Sequence, residues 1–319
     1  MSPPRRGRRL VFLVLMLGLA AAGVALGLLA GWASPPRRWQ LASGWDRIPS
    51  TERVPIEARL WSGAGAPSVR WLGHAGMVVD WRGQRLVIDP HTRAWCTSAR
   101  RAMALPVSLR ELGPIDAVLI THAHYDHLDL PTLREGELAM VVVPAGSEGY
   151  VQPLAAEGVP VRGARLGEPI FLGPLEVIAV PAVHNGNRFH PLPSRKHAFG
   201  YVIRPRDALG DAIYDAGDTG FGDHFAAIRA QWHPRAALLP IGAFSPRVPI
   251  GWYHLSPEQA VEAAGILGVE VVIPMHYGTF PLSLDRPDQA LPRFASAAHR
   301  QGLHWQMPPF LPRAASVAP

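Results

Sequence analysis

The stretch that decides the fold is Val118-Leu-Ile-Thr-His-Ala-His-Tyr-Asp-His-Leu-Asp129. It begins as an apolar run typical of a buried strand, and three histidines and two aspartates follow at once. Alternating residues of an extended segment point to the same side, so His122 and His124 can bind one metal ion. After a turn of the chain, Asp126 and His127 can reach a second ion. Imidazole and carboxylate together suit zinc and similar divalent ions.

Three later apolar runs also lead into a histidine or an aspartate at the start of a loop, namely His184, Asp218 and His276. Loops at the ends of strands are where a rigid scaffold places functional residues. The chain therefore supplies enough ligands for two ions. The candidate metal ligands are His122, His124, Asp126, His127, His184, Asp218 and His276.

Short apolar runs broken by Gly, Pro and Asp continue through residues 67–319, which we predict to form one hydrolase domain. Predicted strands are Met77–Trp81, Arg85–Ile88, Ala117–Ile120, Met140–Val143, Leu175–Val180, Phe199–Ile203, Ala212–Tyr214, Ala237–Pro240 and Val271–Pro274. Predicted helices are Phe225–Trp232, Pro257–Leu267 and Gln289–Gln301, with Ser256 as the N-cap of the second. Strands come first in each half and helices follow, which favours an α/β (α+β) domain with two sheets face to face and helices outside.

With these ligands in this order, the chain is similar to the metallo-β-lactamase superfamily, over roughly Val69 to Leu282. The resemblance implies an αββα four-layer sandwich and two Zn²⁺ ions, or other divalent metals. It implies that one ion is held by His122, His124 and His184, and the other by Asp126, His127 and His276. It also implies that Asp218 bridges the two ions.

Within that superfamily the chain most resembles the N-acyl-phosphatidylethanolamine-hydrolysing phospholipase D group. The matching pieces are Trp71-Leu-Gly-His74, Ile88-Asp-Pro90, the HxHxDH stretch, Gly217-Asp-Thr-Gly220, Pro240-Ile-Gly-Ala243, His254 with Pro257-Glu258, and His276-Tyr-Gly-Thr-Phe280. The segment Pro90–Trp95 departs from that group, which tends to carry a longer loop there. The resemblance implies a phosphodiesterase that acts on lipids like N-acyl-phosphatidylethanolamine.

Other polar residues near these motifs receive predicted roles. Asp89 ends a strand, where it can hold a ligand histidine by accepting its second N–H. His74 is a candidate for the same supporting role, and the position of His91 beside Asp89 leaves its role open. His254 can contact the scissile phosphate or protonate the leaving group. The predicted catalytic residues are Asp126, Asp218 and His254.

Two other functions are compatible with the same ligands. One is hydrolysis of a soluble lactone, thioester or cyclic phosphodiester, and the other is a metal-stabilised scaffold without activity. A nuclease is disfavoured because the net charge of +6 is concentrated in four arginines among the first nine residues. The single cysteine, Cys96, excludes a disulfide framework within the chain and is interpreted as a packed small residue.

The N-terminal residues 1–33 predict a membrane anchor. Leu10 to Ala33 is an uncharged run of 24 apolar and small residues, longer than the roughly 20 needed to span a bilayer. More arginines precede the run than follow it, which predicts a single-pass protein with its catalytic domain outside the cytoplasm. A cleaved signal peptide is the alternative. Residues 34–66 are predicted to be a linker and surface wrap.

Overall fold

The computed structural model describes residues 58–63, 65–188 and 197–307, in which two β-sheets lie face to face. In spatial order the first sheet contains β1 (Ala58–Arg59), β2 (Ser68–Gly73), β3 (Gly76–Trp81), β4 (Gln84–Ile88), β7 (Ala117–Leu119), β8 (Val141–Pro144) and β9 (Val161–Ala164). A small hairpin pairs β5 (Trp95–Cys96) with β6 (Ala99–Arg100). The first sheet is antiparallel from β1 to β4 and parallel from β4 to β9.

The second sheet contains, in spatial order, β10 (Pro169–Leu172), β11 (Leu175–Pro181), β12 (Phe199–Pro205), β13 (Ile213–Asp215), β14 (Ala236–Pro240) and β15 (Val271–Met275). It is antiparallel from β10 to β13 and parallel from β13 to β15. Strands β11, β13, β14 and β15 therefore run in one direction, as β2, β4 and β7 do in the first sheet. Loops that follow these strands meet at one end of the sandwich, which we call the metal end.

The helices are α1 (Leu109–Leu112), α2 (Leu130–Leu133), α3 (Gln152–Ala156), α4 (His224–Trp232), α5 (Pro257–Leu267) and α6 (Ala290–Arg300). Short 3₁₀ turns occur at Glu148–Tyr150 and Ile250–Trp252. The predicted cap of α5 is confirmed: the Ser256 hydroxyl accepts from the Gln259 N–H, and the Gln259 side chain accepts from the Ser256 N–H. Helix α5 ends at Gly268, whose φ of 67° suits glycine.

Three apolar clusters define the layers of the domain. The central cluster joins the two sheets, with Leu119 of the first sheet and Leu238 of the second fully buried. A second cluster packs the outer face of the second sheet against α5 and α6, and a third packs the first sheet against α1 and α3. The order is helix, sheet, sheet, helix. The predicted αββα sandwich is confirmed, and each predicted strand and helix matches an element within two residues.

The folded domain begins earlier than the predicted boundary at residue 67. Ala58 pairs with Val69, and Leu60 is buried in the central core with 3% of its surface exposed. Leu60 is therefore part of the core of the sandwich and not of the linker and surface wrap predicted for residues 34–66. The predicted anchor, Leu10 to Ala33, lies outside the described residues. Within the described ranges, no helix is both long enough and apolar enough to cross a membrane.

Candidate metal centre

All seven predicted ligands lie together at the metal end, on loops that follow strands. His122 to His127 follow β7, His184 follows β11, Asp218 follows β13 and His276 follows β15. The predicted supporting residues lie at the same end, since His74 follows β2 and Asp89 follows β4. Residues more than 150 positions apart in the chain therefore meet because their strands end at one edge.

His122, His124 and His184 form what we call the three-histidine half of the centre. His124 Nδ1 lies 2.9 Å from His122 Nε2 and 3.2 Å from His184 Nε2. Ligand nitrogens about 2.1 Å from a tetrahedral ion are separated by roughly 3.4 Å. The spacing of the three nitrogens therefore suits one divalent ion between them.

Asp126, His127 and His276 form the carboxylate half. Asp126 Oδ2 lies 3.6 Å from His127 Nε2 and 3.4 Å from His276 Nε2. These separations also suit a single ion. A candidate metal cluster contains these three residues together with His74.

Asp218 lies between the two halves. Its Oδ2 is 3.2 Å from His127 Nε2, and its Oδ1 is 3.2 Å from His276 Nε2. The same Oδ2 lies 4.0 Å from His122 Nε2 and 3.8 Å from His184 Nε2. The carboxylate faces both halves at once, as the predicted bridging role requires.

Asp89 supports one histidine of each half. Its Oδ2 accepts from His127 Nδ1 at 2.7 Å and from the Thr121 hydroxyl at 2.5 Å. His122 Nδ1 lies 3.0 Å from that hydroxyl, to which it can donate. Because Nδ1 is engaged in both rings, Nε2 faces the centre in both. The contact with His127 is the one predicted for Asp89.

The loop before α5 holds two further rings against the centre through backbone carbonyls. His184 Nδ1 donates to the Tyr253 carbonyl at 2.9 Å, and His254 Nδ1 donates to the Ile250 carbonyl at 3.1 Å. His254 Nε2 lies 3.3 Å from Asp218 Oδ2, and the residue is only 8% exposed. His254 therefore faces the space between the halves, where it was predicted to act.

His74 contacts the carboxylate half. Its Nε2 donates to Asp126 Oδ2 at 2.8 Å, and its ring centroid lies 4.0 Å from that of His276. Its backbone is fixed as well, because the His74 N–H donates to the Thr279 hydroxyl at 2.7 Å. Burial first, and then His276, lower the pKa of His74 to about 3. A neutral ring with its proton on Nε2 can hold the Asp126 carboxylate in one orientation.

Buried atoms without hydrogen-bond partners converge on the same space. Among the described residues, His127 Nε2, His276 Nε2 and Asp218 Oδ1 are buried, make no hydrogen bond of regular geometry and have only the other side chains of the centre as partners. Polar atoms left in this state cost free energy unless another group satisfies them. Imidazole nitrogens and a carboxylate oxygen at this spacing fit a divalent ion, so the residues present suit the metal that the ligand pattern predicts.

The two halves differ in their protonation. Burial lowers the pKa of His122 and of His184 well below the usual histidine value, so both rings are neutral. Burial acts the same way on His127, but Asp218 and Asp126 outweigh it and raise its pKa well above that value.

In the same half, Asp218 overcomes burial and raises the pKa of His276 to about 9. The pKa of Asp126 and that of Asp218 fall well below the usual carboxyl value, despite burial, because these imidazoliums face them.

His91 and Cys96, whose roles were considered from the sequence, lie beside the centre. His91 is buried with its ring 4.8 Å from that of Phe280, and it belongs to none of the ligand clusters in the described ranges. Cys96 is buried, which raises the pKa of its thiol well above the usual value and agrees with a packed small residue.

Sequence reasoning missed Thr121 and Tyr253. Because Thr121 directly precedes His122, the sequence could have indicated that its hydroxyl lies near a ligand histidine. Tyr253 contributes a backbone carbonyl, which no side-chain pattern reveals.

Comparisons with known proteins agree with this geometry. The β-lactamase superfamily domain matches residues 84–277. A UPF0173 metal-dependent hydrolase from Caldivirga maquilingensis is 34% identical over 69% of this chain and 86% of its own length. A second protein of that name, from Myxococcus xanthus, is 31% identical over 86% of this chain and 88% of its own. The solved structure of Igni18, described as a metallo hydrolase from Ignicoccus hospitalis, has a TM-score of 0.58 and 27% identity over 76% of this chain and 96% of its own.

Proposed function

This chain belongs to the metallo-β-lactamase superfamily, within the UPF0173 family of metal-dependent hydrolases, and we propose that it is a two-zinc phosphodiesterase. The observation that carries the proposal is the position of Asp218, whose carboxylate faces the three-histidine half and the carboxylate half at once. A shared carboxylate is what two neighbouring divalent ions require. A close ion pair suits in-line displacement at phosphorus.

The charge of the centre favours an anionic substrate. Two bound divalent ions would supply Lewis acidity and a water nucleophile near neutral pH. Their charge would exceed that of Asp126 and Asp218, the two carboxylates that face them, so the site would be positive overall. A phosphodiester carries the complementary charge, whereas a lactone or thioester is neutral.

The chain's own residues orient the ligands and move the proton. Asp89 holds His127 directly and His122 through Thr121, so both rings keep Nε2 toward the substrate space. His254 donates its Nδ1 proton to the Ile250 carbonyl, and its Nε2, 3.3 Å from Asp218 Oδ2, can carry a second proton toward that space. From there it can protonate the oxygen of the leaving alcohol.

For the substrate we propose a membrane phospholipid that resembles N-acyl-phosphatidylethanolamine. Water would add to phosphorus, the bond to the head-group oxygen would break, and phosphatidic acid and the head-group alcohol would be released. The anchor predicted at Leu10 to Ala33, with the domain outside the cytoplasm, supports this choice because it keeps the site near lipid. A reporter fused to the C-terminus tests that topology, and activity on the cytoplasmic side would contradict it.

The substrate test uses the full-length, zinc-loaded protein in detergent micelles. N-acyl-phosphatidylethanolamine, a soluble phosphodiester, a lactone and a thioester are compared, with the Asp218→Asn variant as the background control. We expect turnover of both phosphodiesters, with phosphatidic acid as the lipid product. Turnover confined to the lactone or thioester would refute the phosphodiester proposal and favour the soluble-substrate alternative.

His254→Ala tests the proton donor. The variant should retain its metals, because His254 is not one of the seven ligands. Its turnover of a phosphodiester with an alkoxide leaving group should fall about 10²–10⁴-fold. A nitrophenolate leaving group needs no proton, so that substrate should be nearly unaffected. Equal slowing of both substrates would mean that His254 positions the substrate instead of protonating it.

A further inference from the structure

A group of exposed apolar side chains borders the metal centre. Eight large apolar residues are well exposed in the described part of the chain. Trp95 and four others lie on loops at the metal end, and those four belong to the loops that follow β11, β14 and β15. These are Val183, Val248, Trp252 and Leu284, with 38%, 58%, 56% and 58% of their surface exposed. We call these four residues the apolar rim. Grouped exposure of this kind marks an interaction surface.

The loops that carry the apolar rim are in contact with one another. Gly220 lies close to both the loop of Val183 and the loop of Trp252. A Cβ atom built on Gly220 would lie only 2.0 Å from the Trp252 carbonyl oxygen and 3.3 Å from the Val183 side chain. The Leu284 N–H donates to the Ser245 carbonyl at 3.0 Å, which places Leu284 beside the loop that contains Val248. The four side chains therefore belong to one joined set of loops.

These loops are also bonded to the metal centre. Val183 directly precedes His184, whose Nδ1 donates to the carbonyl of Tyr253, the residue after Trp252. The Ile250 carbonyl in the same loop accepts from His254. A surface that covered the apolar rim would therefore lie against the loops that hold His184 and His254.

We propose that the apolar rim docks on the surface of a lipid bilayer, so that the phospholipid substrate enters the centre from the membrane. The substrate part of this inference rests on the proposed function, whereas the docking part does not. Tryptophan favours the membrane–water interface. Exposed Arg247 lies beside Val248, and its guanidinium donates to the neutral Gln259 side chain, so its charge can attract lipid phosphates.

The apolar run Leu10–Ala33 supports a bilayer as the occupant. It is uncharged and 24 residues long, which is enough to span a hydrocarbon core. Residues 34–57 join this run to β1, so a bilayer that held the run would be tethered to the domain that carries the apolar rim.

The test places a fluorescent label on the rim of the full-length protein. Val248→Cys is labelled with a polarity-sensitive dye, and Leu209→Cys is the matched control. Leu209 is 54% exposed on the loop between β12 and β13, at the opposite end of the sandwich. Cys96 is 3% exposed and buried, so the introduced thiol is the reactive one. The protein is reconstituted into vesicles of phosphatidylcholine and phosphatidylglycerol.

Docking predicts that the label at position 248 shifts to the blue in vesicles and is quenched by brominated acyl chains, while the label at position 209 stays as it is in detergent. Water exposure of both labels in vesicles would overturn the proposal. Protection of position 248 in detergent that increases with protein concentration would also overturn it, because a second copy would then cover the rim. Neither readout depends on catalysis, so failure of docking and failure of the proposed function remain distinguishable.

A charge variant links docking to substrate entry. Val248→Glu with Leu284→Glu should lower turnover of vesicle phospholipid at least about tenfold, because each buried charge opposes contact with lipid. Turnover of a soluble phosphodiester should be unchanged, and Leu209→Glu should change neither rate. Unchanged turnover of vesicle phospholipid in the rim variant would contradict entry from the membrane, and so would an equal loss on the soluble substrate.

Discussion

The two halves of the metal centre lie within a few ångströms of each other but are electrostatically different. In the three-histidine half, burial lowers the pKa of His122 and of His184, outweighs the opposing charge of Asp218 and keeps both rings neutral. In the carboxylate half, Asp126 and the shared Asp218 keep their charge, and His127 and His276 are protonated against them. Imidazolium thus balances the carboxylates when no metal is bound.

This difference indicates that metal binding displaces protons from one half and not from the other, so its free energy depends on pH differently in each half. An ion that enters the three-histidine half meets the neutral rings of His122 and His184 and displaces no proton from either. An ion that enters the carboxylate half must displace the protons of His127 and His276, although it gains the attraction of two carboxylates. The first half should therefore respond weakly to pH and the second strongly.

The largest effect is expected for Asp218→Asn, because Asp218 is the one carboxylate shared by the halves. The amide keeps the shape but removes the charge that balances two ions. Turnover should fall by several orders of magnitude, and metal analysis should show loss of metal from both halves. Wild-type metal content in this variant would mean that Asp218 does not bridge.

The pH dependence of zinc binding should separate the halves directly. With His184→Ala the carboxylate half is left intact, and with His276→Ala the three-histidine half is left intact. Between about pH 9 and pH 6, acidification should weaken zinc binding to the carboxylate half roughly tenfold per pH unit for each proton displaced. The sign follows from the raised pKa of His276, about 9, since the protonated ring cannot bind metal. Equal pH slopes for the two variants would contradict the comparison.

Asp89→Asn should affect the carboxylate half more than the other half. Asp89 accepts directly from His127 but reaches His122 only through Thr121. With the amide oxygen in the place of Oδ2, the NH2 group takes the place of Oδ1 and opposes the Thr121 N–H, which donates to Oδ1 in the wild type. Zinc affinity of the carboxylate half should fall about 10–100-fold. Thr121→Ser keeps the bridging hydroxyl and should behave like the wild type, and an Asp89→Asn variant that does the same would rule out the supporting role.

The smallest effect is expected for Asp215→Asn, three residues before the shared aspartate. Burial, and then Asp89, raise the pKa of Asp215 to about 8, so its carboxyl is already neutral at pH 7. The amide oxygen can still accept from the Gly217 N–H. Transition-state stabilisation should change by less than about 1 kcal/mol, measured as kcat/KM. A loss comparable to that of Asp218→Asn would show that Asp215 carries a functional charge.

The strands that precede the seven candidate ligands were predictable because each is a short apolar run that ends near a polar ligand, as Ala117–Leu119 is before His122. Strand β2, which precedes His74, was not predicted. Other elements were missed because they are not apolar runs that end in a polar ligand. Strand β10 alternates exposed and buried residues at an edge, and α1 is a single turn that only its Ser108 cap would reveal. The early start at Ala58 was missed because β1 is only two residues long and its evidence is the pairing of Ala58 with Val69.

The candidate ligands were predictable from residue type and order, whereas their support was only partly so. Asp89 was expected to hold a histidine directly. Its indirect contact with His122 through the Thr121 hydroxyl depends on the folded geometry and could not be predicted. The carbonyls of Ile250 and Tyr253 leave no trace in the sequence. His254 appeared separate from the ligands along the chain and proved to contact Asp218, because the loop before α5 folds back over the centre.

An anomalous difference map would show directly whether two neighbouring ions share Asp218. Crystals of the full-length protein grown with zinc would be measured at the zinc absorption edge. We expect two peaks about 3.5–4 Å apart, one in each half, with the Asp218 carboxylate between them. A single peak, or two peaks that Asp218 does not contact, would show that no pair of ions shares this carboxylate.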